Sequence, residues 1–216
     1  MSLFPTLSRR VAAGLTAALL AGAVTGCTEE AAPPEPAATP PPSASTGTAA
    51  TLEAKPVPLD VRTARVLGSK LSKRAQETVE RRAGRVIGEY FDRAFLEGSY
   101  PREGSTGAFA SFSKGAAAQA RRDAALVTGA GLGKDVTGVT PVAKQARLYV
   151  LAPNKLAAGV TARIRLVLVT QTEDGPGQRV TVTGRLMLGR KAGGTFEIFG
   201  YDVARSSVPA GKGATR

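Results

Sequence analysis

The sequence predicts an α+β domain in which two N-terminal helices pack on a curved four-stranded antiparallel sheet, preceded by a signal peptide and a disordered linker. Three observations predict it. Apolar residues recur every three or four positions from about 70 to 97 and again, more weakly, from about 107 to 127. Beyond Asp135 the apolar period drops to two. Clusters of Gly, Pro, Asn and Asp punctuate the alternating runs at hairpin spacing.

The chain begins with a different kind of material. Arg9 and Arg10 close a basic n-region, and an apolar, Ala- and Gly-rich stretch runs from Val11 to Val24. That is the layout of an export signal, and the stretch is short for a bilayer-spanning helix, which needs about 20 apolar residues. Val24, Thr25 and Gly26 then lead into Cys27, the one cysteine of the chain. This quartet resembles the lipobox of bacterial lipoprotein signal peptides. The resemblance implies that Cys27 is lipidated and becomes the mature N-terminus, which places the protein on the extracytoplasmic face of the cell membrane. An ordinary buried cysteine is the alternative, but neither flank of Cys27 supplies a core. Ser8, Arg9 and Arg10 partly resemble the twin-arginine export motif, with Ala12 and Ala13 in place of its Phe-Leu; a general-secretion n-region contains such a pair equally well.

Residues 27–60 read as a tether. Pro33, Pro34, Pro36, Pro40 to Pro42, Pro56 and Pro58 stand among Ala, Thr, Ser and Glu with few large apolar side chains, so burial cannot offset the entropy of ordering. Such a segment reaches about 100 Å as polyproline and about 30 to 35 Å as a coil. It is acidic, with Glu29, Glu30, Glu35, Glu53 and Asp60 against Lys55. The chain as a whole has 29 Lys+Arg against 17 Asp+Glu, a net +12. The domain, 61–208, is therefore strongly basic and suits an acidic partner. Residues 209–216 form a tail.

Within the domain, Leu71, Val79, Val86, Ile87, Tyr90, Phe91 and Phe95 share one stripe of the first helix. Glu77 with Arg81 and Glu89 with Arg93 are expected i,i+4 pairs on its wet face, and Gly98 and Pro101 stop it. Phe109, Phe112, Ala116, Ala120 and Leu126 mark the second helix, ended by Gly129, Gly131 and Gly133. The first strand is carried by Ala146, Leu148 and Val150, the second by Val160 to Leu168. Val180 to Leu188 carry the third, and Phe196 with Ile198 open a fourth whose phase change suggests a bulge at Gly200. This order of elements resembles the cone-shaped nuclear-transport-factor-two-like superfold over most of residues 70–205. It is also similar to extracytoplasmic domains of actinobacterial membrane-associated proteins, including those that accompany mammalian-cell-entry transport systems and conjugation machinery. No motif within the domain transfers a functional residue from either.

Composition removes much chemistry. Without histidine or tryptophan, and with one cysteine, the chain has no His-based triad, no His/Cys zinc site and no redox pair; no metal or cofactor is expected. An isomerase or dehydratase using a pocket in the cone would need a carboxylate and a hydrogen-bonding acid that converge. Tyr201 and Asp202 are neighbours on a strand and point to opposite faces, while Tyr90 and Asp92 diverge around a helix, with Tyr90 in the core and Asp92 solvated. The segment Gly129 to Lys134 lacks the residues of a phosphate loop, because Thr128 and Asp135 occupy its required Gly and Ser/Thr positions. It reads as a connector. Arg147, Arg163, Arg165 and Arg185 each oppose an apolar core position and gather on the outer sheet face, a candidate contact for teichoic acid, anionic lipid headgroups or an acidic protein. A plain solvated sheet face is the more ordinary account of them. Export and thin aromatic interleaving argue against nucleic acid. The expected function is thus a non-catalytic binding or assembly domain on a membrane anchor, with an accessory role in transport or secretion.

Overall fold

The computed structural model describes residues 56–104 and 106–211; Val24, Thr25, Gly26 and Cys27 lie outside the described residues. The described residues start with a strand, β1 (Leu59–Gly68), followed by α1 (Lys73–Phe91), α2 (Lys114–Arg122) and the single turn α3 (Ala124–Val127). Four strands follow: β2 (Gly138–Ala152), β3 (Gly159–Thr172), β4 (Gly175–Arg190) and β5 (Phe196–Pro209). They form one sheet in the order β1-β2-β3-β4-β5. β1 runs parallel to β2, and the other neighbours are antiparallel.

The expected four-stranded antiparallel sheet behind two leading helices is therefore corrected to a five-stranded mixed sheet with three helices, all lying in the crossover between β1 and β2. The physical reason is legible in β1 itself. Leu59, Val61 and Thr63 share the face that packs toward α1, but a register shift between Thr63 and Arg65 moves the next inward residue to Val66. One bulge broke the alternation that marks a strand. The second expected helix is also shorter. Residues 106–112 turn instead, because the chain bridges to the edge strand there: Ile198 N–H donates to Ser111 O at 2.9 Å and Ser113 N–H to Ile198 O at 2.8 Å. Ser113 then caps α2, accepting from Ala116 N–H at 3.4 Å.

α1 is capped by Ser72, which accepts from Ala75 N–H at 3.2 Å, and runs on through a π turn, Asp92–Leu96. Its stripe of Val79, Ala83, Val86, Ile87, Tyr90 and Phe91 is buried against the inner sheet face, where Leu148, Ile164, Leu166, Leu186 and Ile198 meet it. Neither Glu77–Arg81 nor Glu89–Arg93 closes among the described ion pairs. Glu89 accepts instead from Ser111 Oγ at 3.0 Å, tying the turn to the helix. On β5 the bulge falls at Phe199, one residue ahead of the expected Gly200, since Met187 faces Gly200 and Leu188 faces Ile198.

Aromatic rings fill the space between helices and sheet. Tyr90, 1% exposed, packs against Phe91, Phe95 and Phe112 with centroids 5.9, 6.0 and 5.3 Å away. Such a ring cluster contributes through area and through edge-to-face geometry. The Tyr90 hydroxyl donates to Val127 O at 2.8 Å, so the buried phenol is satisfied and fastens α3 to α1.

Candidate functional site

The described helices pack on one face of the sheet, and the alternate residues of each strand point to the other. Strand register brings basic residues of that outer face into line. Arg62 lies opposite Arg147, Arg147 opposite Arg163, Arg163 opposite Arg185, and Arg185 opposite Asp202. One row thus crosses all five strands. Neighbouring strands are about 4.8 Å apart, so the row sets like charges on adjacent strands. Two like charges about 5 Å apart repel by about 1 kcal/mol even in water.

The row carries its own relief at the two edges. Asp60 on β1 accepts from Arg147 Nη1 and Nη2 at 3.1 and 3.0 Å and from Arg62 Nε at 3.1 Å. Hydrogen bonds from Arg147 and then Arg62 hold its carboxyl below the ordinary 3.8. At the far edge Asp202 accepts from Arg185 at 2.6 and 3.2 Å. In the centre Arg163 lies over the Tyr149 ring, 5.3 Å from its centroid. Arg165, one step along β3 between Gln145 and Thr183, has no carboxylate or ring among its described contacts. Arg163, Arg165 and Arg185 are exposed and Arg147 half-buried. The structure therefore brings the four sequence-derived arginines to one face, divides them between paired edges and an open centre, and adds Arg62, which lay behind the unread bulge.

The residues considered for acid–base chemistry are arranged otherwise. Asp202 faces Arg185 on the outer side, while Tyr201 turns inward and donates to Asp123 Oδ2 at 2.5 Å. Desolvation first, then the Asp123 carboxylate, hold the Tyr201 phenol far above its ordinary range, so it stays protonated and its proton is spent on Asp123. A cleft of about 290 Å³ beside Tyr201 opens to the surface between α2 and β5, lined also by Gln119 and Phe199. This tyrosine–carboxylate pair was invisible in sequence because its members stand 78 residues apart. Asp92 is not simply solvated: Lys144 Nζ, on the inner face of β2, reaches its Oδ1 at 3.1 Å. The connector after α3 is fastened by Arg205, whose guanidinium donates to Gly131 O at 2.9 Å and Thr128 O at 3.4 Å.

Among the described residues no group of three or more His, Cys, Asp or Glu side chains is placed to hold a metal ion, and no helix is long and apolar enough to cross a membrane. No family model, curated protein or solved structure matches the chain.

Proposed function

We propose that the protein is a lipoprotein anchored through Cys27 on the extracytoplasmic face of the cell membrane, and that its domain binds a phosphate-bearing envelope polymer such as teichoic acid without catalysing a reaction. The observation that carries the binding assignment is the row of Arg62, Arg147, Arg163 and Arg185 on the sheet face opposite the described helices. A polymer with evenly spaced phosphates is matched by evenly spaced cations, and guanidinium groups take phosphate oxygens two at a time. Carboxylates at both edges set the arginines' directions and leave Arg163 and Arg165 at the centre for the ligand. Binding through many exposed charges also suits an assembly role, since it is additive along the polymer and reversible with salt.

The rival reading is a small-molecule isomerase or dehydratase. It needs a base and an acid aimed into one apolar cavity. Here the nearest approach to such a pair, Tyr201 with Asp123, is self-satisfied beside an open cleft.

Cys27→Ala tests the anchor: metabolic acyl labelling and detergent-phase partitioning should both be lost, and unchanged partitioning would sink it. Co-sedimentation of the domain with purified wall polymer tests the binding. Retention at low salt and release as salt rises is expected; no retention at low salt contradicts the assignment.

A further inference from the structure

One end of the domain carries a second basic site of different character. There the N-terminal turn of α1 meets the β2–β3 and β4–β5 turns around a cleft of about 280 Å³. Its floor is apolar, with Leu71, Val79, Ala157 and Phe196 buried beneath it. Its rim holds Arg74, Arg82, Lys155 and Arg190, all exposed, and none of the described residues lining it is a carboxylate. None of the four takes part in an ion pair among the described residues. Glu197, in the adjoining strand, is held by Lys191 at 3.4 Å.

Two of these cations are brought together against their mutual repulsion. Arg82 Nη1 donates to Gly194 O at 2.6 Å, and a methyl group placed on Gly194 would sit 3.2 Å from Arg190 Nη2 and closer still to Arg82 Nη1. Both guanidinium groups therefore crowd one glycine. The β2–β3 turn also holds the two non-glycine residues with positive φ among the described residues, Asn154 and Lys155, at 52° and 63°. Lysine gains nothing locally from that conformation. It presents Lys155 and then Leu156 at the tip.

The same end of the sheet is apolar at its surface. Leu156, on the cleft rim, is 60% exposed, and the register partners Leu151 and Leu67, on the outer face of the adjoining strand ends, are 53% and 41% exposed. Scattered exposed leucines need no explanation, but these three lie at the end of the sheet that carries the basic rim. Aliphatic side chains projecting past a basic collar match the interface of an anionic bilayer, where cations meet phosphates and leucines enter the acyl boundary. A water-soluble anion would use the collar and leave the leucines in water.

We infer that this end docks on the bilayer surface: Arg74, Arg82, Lys155 and Arg190 hold the headgroup phosphate of an anionic phospholipid, and Leu67, Leu151 and Leu156 enter the acyl boundary. β1 runs about 30 Å from Leu59 to this end, which a tether of the expected reach can return over. The site is separate from the arginine row, and its failure would leave the polymer reading standing.

The chain contains no tryptophan, so Leu156→Trp creates a single reporter in the full-length lipoprotein. In phosphatidylglycerol vesicles its emission should shift to the blue and be quenched by brominated acyl chains. In phosphatidylcholine vesicles the quenching should fall by at least half, as it should in anionic vesicles with Arg74→Glu and Arg190→Glu added. A Val208→Trp reporter, 56% exposed at the opposite end of the sheet, should stay in water. Arg163→Gln with Arg165→Gln should leave the Leu156→Trp signal unchanged. A reporter at 156 that stays water-like in anionic vesicles overturns the inference, as does quenching lost with the Arg163/Arg165 changes or seen only with a soluble alkyl phosphate. Leu151→Trp repeats the measurement at a second exposed site, and circular dichroism checks each variant's folding.

Discussion

Tyr90→Phe removes one oxygen from the centre of the fold and leaves its packing in place. The ring contacts to Phe91, Phe95 and Phe112 remain, so no cavity term enters. What is lost is the 2.8 Å bond to Val127 O, whose carbonyl is left in a buried site without that donor. An orphaned buried acceptor costs about 1–3 kcal/mol. In a domain of this size each kcal/mol moves the midpoint by about 2–4 °C, so a loss of about 2 kcal/mol lowers Tm by about 4–8 °C. The effect should also be local. Val127 ends the four-residue α3, which is too short to persist unaided, and the backbone from Thr128 to Leu132 follows directly. Thermal unfolding by circular dichroism reads the global cost, and amide exchange reads the local one. A Tm within 1 °C of wild type, with unchanged exchange from 128 to 132, would refute the view that Tyr90 fastens the crossover to α1.

Three further outcomes follow from the same structure. Gly184 has φ of +145°, and a methyl group there would overlap the Asp202 carbonyl on β5, so Gly184→Ala should separate these strands and leave little folded protein in a denaturant titration. Tyr90 and Tyr201 are both held above the ordinary phenol value of 10.0, Tyr90 chiefly by burial. The unfolded chain therefore releases these protons first, and stability should be full below pH 10 and decline above it, with the two phenols silent in an absorbance titration until unfolding begins. Asp60→Asn should tighten polyanion binding by freeing Arg147 and Arg62; because Asp60 ionises below 3.8, wild-type binding should be flat between pH 5 and 7, and a rise across that range would speak against its role.

Where sequence reading reached the fold, it did so through long, uninterrupted periods. The stripe from Val79 to Phe95 lies in α1 and its π turn, and the alternation of Val160 to Leu168 lies in β3. It missed what interrupts a period. β1 escaped because a bulge between Thr63 and Arg65 reverses the inward phase within ten residues and because Pro56 and Pro58 adjoin it. That one strand changes the sheet from antiparallel to mixed and carries Asp60 and Arg62, so the row's self-neutralised edge was hidden with it. Leu166 to Val169 are all buried, a run too uniformly apolar for alternation to sort. At the site, face sharing by Arg163 and Arg165 follows from spacing alone, whereas alignment with Arg147, Arg185 and Arg62 depends on register. The Tyr201–Asp123 and Lys144–Asp92 pairs join distant elements and leave no local trace. The cleft at the sheet end is a product of two turns and one helix start, none of which signals the others.

The central claim, that the outer sheet face binds an anionic envelope polymer through its arginine row, is tested most directly by calorimetric titration of purified teichoic acid into wild-type domain and into the variant with Arg147, Arg163, Arg165 and Arg185 all changed to Gln. The account predicts binding by the wild type that weakens as salt rises, because exposed charges are screened within about 10 Å at 0.1 M, and loss of most of that affinity in the variant with its fold retained by circular dichroism. Equal affinity in both proteins would contradict it, leaving the basic charge of the domain as a diffuse attraction with no site on the sheet.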